Sequence, residues 1–476
     1  MKISLLFPAW CGSFGIYSRV AHKASSFPPL NLALIAALAR QTGWEAQLVD
    51  AEVEQLSDDA VLRRVRQFGP DLIGMTATTP FFHRVEEMAR RIKAELNVPV
   101  IVGGQHVSIL AEQAFAECFD YFFLGESERT LPDFLGRFAR GESVGAVPGL
   151  LARENGRVVR GPAAPRLENL DEAPLPARDL LRNDLYFVGT PQGRQNYTSL
   201  QMTRGCPFRC VYCANDLYGK RIRRRSLANV LAELEWIVRT QGIRHVYFID
   251  DTLTLDRKYV LDLCDEIERR GLKFTFEGST RANCWDEALA TRLKACGLVR
   301  ISFGLETAVP EILQLIQKDV SLEAYVAANR INNRLGIETI NSVMLGLPGD
   351  TRETIKQTVD FLCRARDIQH TTYGIAIPYP GTELHRMAEN GLHGLRLLER
   401  DSSKHQRHAA PVMEVNGMSP DELVRLQRAG LRRIYSCWWR IVPLIRRMGV
   451  LALIPPFVDI MRSWIASGFR PPRPAP

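Results

Sequence analysis

The sequence predicts an α/β chain in two successive arrays: a doubly wound, flavodoxin-like sheet over 1–140 and a partial (βα)6 TIM-type barrel over 195–390. A linker over 141–194 joins them, and a helical region over 391–476 follows. Three observations carry this. In both arrays short apolar runs alternate with segments of 3.6-residue periodicity, as parallel strands with crossover helices require. Between them the periodicity lapses and prolines accumulate (Pro148, Pro162, Pro165, Pro174, Pro176, Pro191). At 476 residues the chain also exceeds what one core ordinarily takes.

Composition narrows the class. The apolar fraction of 46% and charged fraction of 24% are globular values. The net charge of +8 is spread along the chain, apart from the run KRIRRR over 220–225 and the C-terminal region. Such a run reads first as a solvated face, which argues against nucleic acid as a partner. Ten cysteines in this length make no disulfide framework, so a reducing, cytoplasmic setting fits. The opening MKISLLFPAW stops at Pro8 and reads as a first strand, since a signal peptide needs a longer apolar run and a cleavage site.

In the first array strands are expected over 2–7, 45–49, 72–76, 99–102 and 121–124. The helix over 30–40 is apolar throughout and packs deep, whereas that over 85–96 is amphipathic. Ligands of such sheets lie beyond the carboxyl ends of the strands. The segments there are 8–15, TATTP at 76–80, GGQH at 103–106 and GESE at 125–128. Small, hydroxylic and glycine-rich, they let a bulky planar ligand approach the backbone. A nucleotide-binding α/β module, or one with no ligand, would read similarly.

The linker holds a β-hairpin turning at Asn155-Gly156. Strands of the second array are expected over 198–202, 245–249, 273–277, 299–303, 339–345 and 373–377, with chemistry in the loops after them. The first of those loops, TRGCPFRCVYCAND over 203–216, spaces Cys206, Cys210 and Cys213 as CxxxCxxC. A [4Fe–4S] cluster normally takes four thiolates, so three leave one iron open. A zinc knuckle would want a fourth Cys or His close by, and none occurs up to Asn229. At the same end fall IDDTLT (249–254), EGSTR (277–281), SFGLET (302–307) and MLGLPGDT (344–351). Their charged residues could equally form buried ion pairs, and Asp250 and Asp251 could cap the next helix.

The cysteine motif, with Tyr212 before its last Cys, resembles the cluster-binding motif of the radical S-adenosylmethionine (radical SAM) enzymes. In that family the open iron chelates SAM, and reductive cleavage yields a 5'-deoxyadenosyl radical. The resemblance implies SAM contacts at Glu277, Arg281, Ser302 and Glu306, with Tyr212 and the backbone around Gly346 beside the adenine. PPLNLALIAALAR at 28–40, VGGQH at 102–106 and FFLGESE at 122–128 resemble the cobalamin-binding domain that precedes this barrel in one branch of the superfamily. Implied cobalamin contacts are Thr76, Thr78, Gly103, Gly104, Gln105, Gly125 and Glu126. The DxHxxG stretch of cobalamin proteins with a His lower ligand is absent; His22, His83 and His106 lack its context.

That branch methylates unactivated carbons of apolar, lipid or secondary-metabolite substrates from methylcobalamin, or forms, contracts or oxidises rings. It draws electrons from a low-potential donor, flavodoxin or ferredoxin. A methylthiotransferase would need a second cluster, but the first array has only Cys11 and Cys118. A non-catalytic cobalamin sensor would have no use for the cysteine trio. After the barrel, a helix is expected over 420–436, and 437–469 carries Trp438, Trp439 and Trp464 among Arg440, Arg446, Arg447 and Arg462. Such a segment lies on the inner membrane face, covers a greasy substrate, or packs on the barrel.

Overall fold

The computed structural model describes residues 1–10, 27–214, 218–401, 405 and 412–440. Most of the 8–15 loop and all of 441–469 lie outside these residues. The first sheet contains Lys2–Phe7 (β1), Glu45–Asp50 (β2), Leu72–Thr76 (β3), Val100–Gly103 (β4), Tyr121–Phe123 (β5), Leu150–Glu154 (β6) and Arg157–Arg160 (β7). Its order is β2-β1-β3-β4-β5-β6-β7, with the first five strands parallel and the last two antiparallel. The parallel part has the flavodoxin-like order 2-1-3-4-5. The hairpin expected in the linker is therefore the edge of this sheet. Ile3, Leu5 and Leu6 are all buried, because helices cover both faces. Ser57 caps the helix Asp58–Phe68 through a hydrogen bond from Ala60 N–H (3.3 Å).

The second sheet begins with an unanticipated strand, Phe187–Thr190 (β8), antiparallel to Gly193–Leu200 (β9). Thr203–Arg204 (β10) and Arg223–Arg224 (β11) pair separately at the neck of the cysteine loop. The parallel series continues with His245–Phe248 (β12), Thr275–Thr280 (β13), Leu298–Glu306 (β14), Glu338–Leu345 (β15) and His370–Ile375 (β16). The sheet order is β16-β15-β14-β13-β12-β9-β8, so the six parallel strands curl in chain order as a half-barrel. Alternation divides its faces: Val246, Phe248, Phe276, Ile301, Phe303, Val343 and Leu345 join the core under the helices. The residues between them face the lumen.

Leu395–Leu397 (β17) and Met413–Val415 (β18) form a small ribbon, after which the helix Pro420–Tyr435 packs on β16 and on the helix Arg352–Arg364. Among the described residues no helix is long and apolar enough to cross a membrane.

Candidate functional site

The cysteine loop is fixed at both ends. Its neck is the β10–β11 pair, and its entry is held by Asp250 at the tip of β12. That buried carboxylate accepts from Thr203 N–H (2.6 Å), Thr203 Oγ1 (2.6 Å) and Met202 N–H (3.2 Å). Burial pushes Asp250 up to about 6 against these hydrogen bonds. Of the two readings open for Asp250 and Asp251, capping of the next helix falls away: Asp256 caps it, accepting from Tyr259 N–H (3.0 Å). Inside the loop, Val211 N–H donates to Ile316 C=O (3.2 Å) and Val211 C=O accepts from Leu384 N–H (2.8 Å). Cys206 is buried, Cys210 and Cys213 are half-buried, and none of the three is in a disulfide. Among the described residues no three His, Cys, Asp or Glu side chains gather as ligands of a single ion. The donor set is thus three thiols arrayed along one loop, a chemistry that fits a cluster of several irons.

Arg281 and Tyr212 lie against Cys210, and Glu306 and Lys318 lie against Tyr212. Arg281, just past β13, donates from Nη1 to Cys210 Sγ (3.5 Å) and stacks on Phe208 at 3.7 Å from the ring centre. It also donates to Lys318 C=O. Tyr212 OH donates to Glu306 Oε1 (2.8 Å), and Lys318 Nζ reaches both Glu306 Oε1 and Tyr212 OH at 3.0 Å.

Glu306 occupies a left-handed backbone conformation (φ 65°) where the β14–β15 register slips. Gly304 makes room for the pair, since a Cβ there would lie 2.2 Å from Glu306 Oε1 and 2.7 Å from Lys318 Nζ. A residue held in such a rare conformation persists only where its surroundings enforce it. The outcome is a buried anion and cation side by side, complementary to an amino-acid zwitterion.

Of the expected SAM contacts, the structure thus gathers Arg281 and Tyr212 at Cys210, with Glu306 bonded to Tyr212. Glu277 is not among them. It lies deeper in the lumen, paired with Arg300 Nη1 (2.7 Å) and His245 Nε2 (3.5 Å), while Arg300 also binds Glu338 (2.8 Å) and Gly189 C=O (2.7 Å). Burial works to raise its pKa, but His245 and Arg300 hold the carboxyl below its usual range. Ser302 faces the lumen opposite Ser279, part-way between. Gly346 ends β15 in a turn closed by the Asp350 carboxylate, which accepts from Leu347 N–H (2.9 Å), and Leu423 packs against its Cα. Lys318 carries no sequence signal: it follows a short helix in no recognisable motif.

Between the carboxyl end of the first sheet and the half-barrel lies a cavity of about 700 Å³. Thr76, Thr78, Gly103, Gly104, Gln105, Gly125 and Glu126 all line it, with Ser199, Gln201, Arg204 and Tyr247 opposite. Phe7, Leu34, Ile35 and Phe123 give it apolar walls. Gly104 (φ 108°) makes the cradle possible: a Cβ there would lie 2.5 Å from Ala77 C=O. That cradle of hydroxyls and bare backbone fits a large planar group.

Glu126 is itself committed, accepting from both terminal nitrogens of Arg223 (2.6 and 2.7 Å) and from Leu167 N–H (2.8 Å). Glu128 likewise pairs with Arg204 (2.6 Å). The cavity loop is thereby tied to the neck of the cysteine loop. His106 sits behind the cavity, stacked on Phe82 and bonded to Thr79 Oγ1 (3.1 Å), and burial lowers its pKa to about 4.

The profile of the Radical SAM superfamily matches residues 200–362, and that of the B12 binding domain matches residues 19–135. The chain is 32% identical over 440 residues to PH0819, an uncharacterized methyltransferase of Pyrococcus horikoshii, covering 91% of this chain and 92% of that one. It is 26% identical over 432 residues to the anaerobic magnesium-protoporphyrin IX monomethyl ester cyclase of Rubrivivax gelatinosus, covering 88% and 76%. Its fold is shared with the radical S-adenosylmethionine methyltransferase TsrM of Kitasatospora setae, solved with cobalamin and a [4Fe–4S] cluster, at a TM-score of 0.71 and 19% identity over 90% of each chain. Kinship at 32% identity along 91% of the chain, with both halves matched in order, makes it a member of the cobalamin-binding radical SAM enzymes, whose cofactors are a [4Fe–4S] cluster, SAM and cobalamin.

Proposed function

We propose that this enzyme transfers a methyl group from methylcobalamin to an unactivated carbon of an apolar substrate. The observation that carries the reading is the apolar-walled cavity that joins the Thr76–Gly125 loops to the barrel's strand ends. When bound, the cluster and SAM supply a 5'-deoxyadenosyl radical, and cobalamin supplies the methyl group. Residues 1–140 serve cobalamin and 195–390 the cluster and SAM. Cys206, Cys210 and Cys213 hold the cluster. Arg281 and Lys318 take up the SAM carboxylate, Glu306 its ammonium group, and Tyr212 and the Gly346 turn lie on the adenine side. Ser302 faces the substrate. The residues' task is to fix the partners in near-attack geometry and keep water out, so no acid or base is assigned.

The test is anaerobic reconstitution with iron, sulfide and hydroxocobalamin, then incubation with SAM and a low-potential reductant. Bound cobalamin with 5'-deoxyadenosine release, abolished in Cys210→Ala, is expected, together with product one methylene heavier than substrate. Turnover without a cobalamin spectrum would sink the methyl-transfer reading. Oxidative ring closure is the second reading, supported by the cyclase kinship; product lighter by two hydrogens would select it.

A further inference from the structure

The basic run over 220–225 is only half used by the site. Arg223 and Arg225 turn inward, to Glu126 and to Glu233. Lys220, Arg221 and Arg224 are exposed, with the Arg221 side chain 84% accessible. Exposed Arg209 stands inside the cysteine loop, next to Cys210, and exposed Arg166 lies against Gly219. Among the described residues, Glu168 lies 3.4 Å from Arg221 and Asp256 pairs with Arg224, while Arg166 and Arg209 add further positive charge to the same rim. The collar reaches the thiols by short steps. Lys220 Nζ donates to Phe208 C=O (3.0 Å), Phe208 stacks under Arg281, and Arg281 touches Cys210.

We propose that this collar is the docking surface for an acidic, low-potential one-electron carrier protein of the flavodoxin or ferredoxin class. The inference rests on the radical SAM reading of the cysteine loop. That chemistry begins with one electron from outside the chain: the carrier is oxidised, and the thiolate-held centre takes the electron up. A folded carrier cannot enter the lumen, so it must dock where the cysteine loop meets solvent. There a positive rim steers a negative partner and makes encounter sensitive to salt. A merely solvated face would show neither partner selectivity nor a consequence for electron delivery.

The experiment uses the reconstituted holoenzyme and flavodoxin as probe. Native chain, Arg166→Glu/Arg221→Glu and the distant, equally charge-reversed Arg330→Glu/Lys356→Glu are compared. Two quantities are read: flavodoxin affinity at low and physiological salt, and the rate of cluster reduction by reduced flavodoxin or by dithionite. The collar variant should bind roughly tenfold or more weakly, with a flattened salt dependence. It should accept electrons from flavodoxin at least about tenfold more slowly, while dithionite reduction stays native. The distant variant should match native. Equal losses in both variants, or none in the collar variant, would overturn the assignment. So would native retention of a structured RNA that the collar variant loses while flavodoxin binding is unchanged. Neither readout needs the substrate, so failure of the methyl-transfer reading leaves them intact.

Discussion

Lys318 and Glu306 form a pair whose members cannot be removed one at a time. Both are buried, at 6% and 5% exposure, and each neutralises the other 3.0 Å away. Lys318→Met leaves a buried carboxylate with Tyr212 as its one side-chain donor among the described residues and should cost about 3–5 kcal/mol in chemical denaturation. Lys318→Met/Glu306→Gln should recover most of that stability yet bind SAM at least about tenfold more weakly than native. Native SAM affinity in the double variant would make the pair purely structural.

Asp250 makes a different prediction, about pH. Its folded pKa of about 6 exceeds the ordinary 3.8, so the folded chain holds this proton after the unfolded chain has lost it. The group's contribution is fully present below pH 3.8 and is lost as pH rises to about 6. Relative to native, Asp250→Asn should therefore gain about 3 kcal/mol between pH 4 and 7, read from denaturation midpoints at the two ends. A constant gap would show that burial does not control this carboxyl. The cysteines were legible because their spacing is local. Lys318 was not, because only the slip of β14 and the return of the loop after it bring a lysine to Glu306.

At the scale of elements, the parallel strands were legible because strands covered on both faces must be continuously apolar, as Ile3, Leu5 and Leu6 are. The edges were not. Arg157–Arg160 is exposed throughout, and Phe187–Thr190 owes its place to Gly193–Leu200 and to Arg300, which reaches Gly189 from across the lumen. Nothing in either segment's own pattern says which sheet it joins. The same limit applies to Glu277: its motif was visible, but its pairing with Arg300 on the next strand was not.

The loop after β4 offers the sharpest test of an element. Gly104→Ala places a methyl on the Ala77 carbonyl and forces an L-residue into φ 108°, so the loop must move. We expect about 1–3 kcal/mol of lost stability and a cobalamin affinity reduced roughly tenfold or more, with iron and sulfide content unchanged. Loss of iron together with cobalamin would mean that the loop supports the whole fold and not the cradle alone.

Across the whole molecule, the two sheets are coupled by buried charge. Arg178, fully buried in the connecting segment, donates to Glu233 (2.6 Å), Thr198 Oγ1 (2.7 Å) and Ser199 C=O (2.6 Å). Glu126 and Glu128 of the first domain reach Arg223 and Arg204 on the two strands at the cysteine loop's neck. Cofactor spacing is thereby tied to ion pairs whose failure should separate the halves before unfolding either. Arg223→Met removes the bidentate partner of Glu126, leaving Arg204 at 3.4 Å to share between two carboxylates. Burial raises the Glu126 pKa while the Arg223 and Arg204 charges hold it below its usual range, so the bridge counts at neutral pH and fades in acid. At pH 7 the variant should lose about 3–5 kcal/mol. In denaturant, its bound cobalamin absorbance and its iron–sulfur absorbance should fall at separate midpoints, where native shows one shared transition. Below the carboxylate range the native chain should split in the same way, because protonating Glu126 removes the bridge that the substitution removes. A shared midpoint for both chromophores in the variant would place the coupling elsewhere, in contacts such as Tyr186 OH to Asp50 (2.7 Å) that tie the connecting segment to the first sheet.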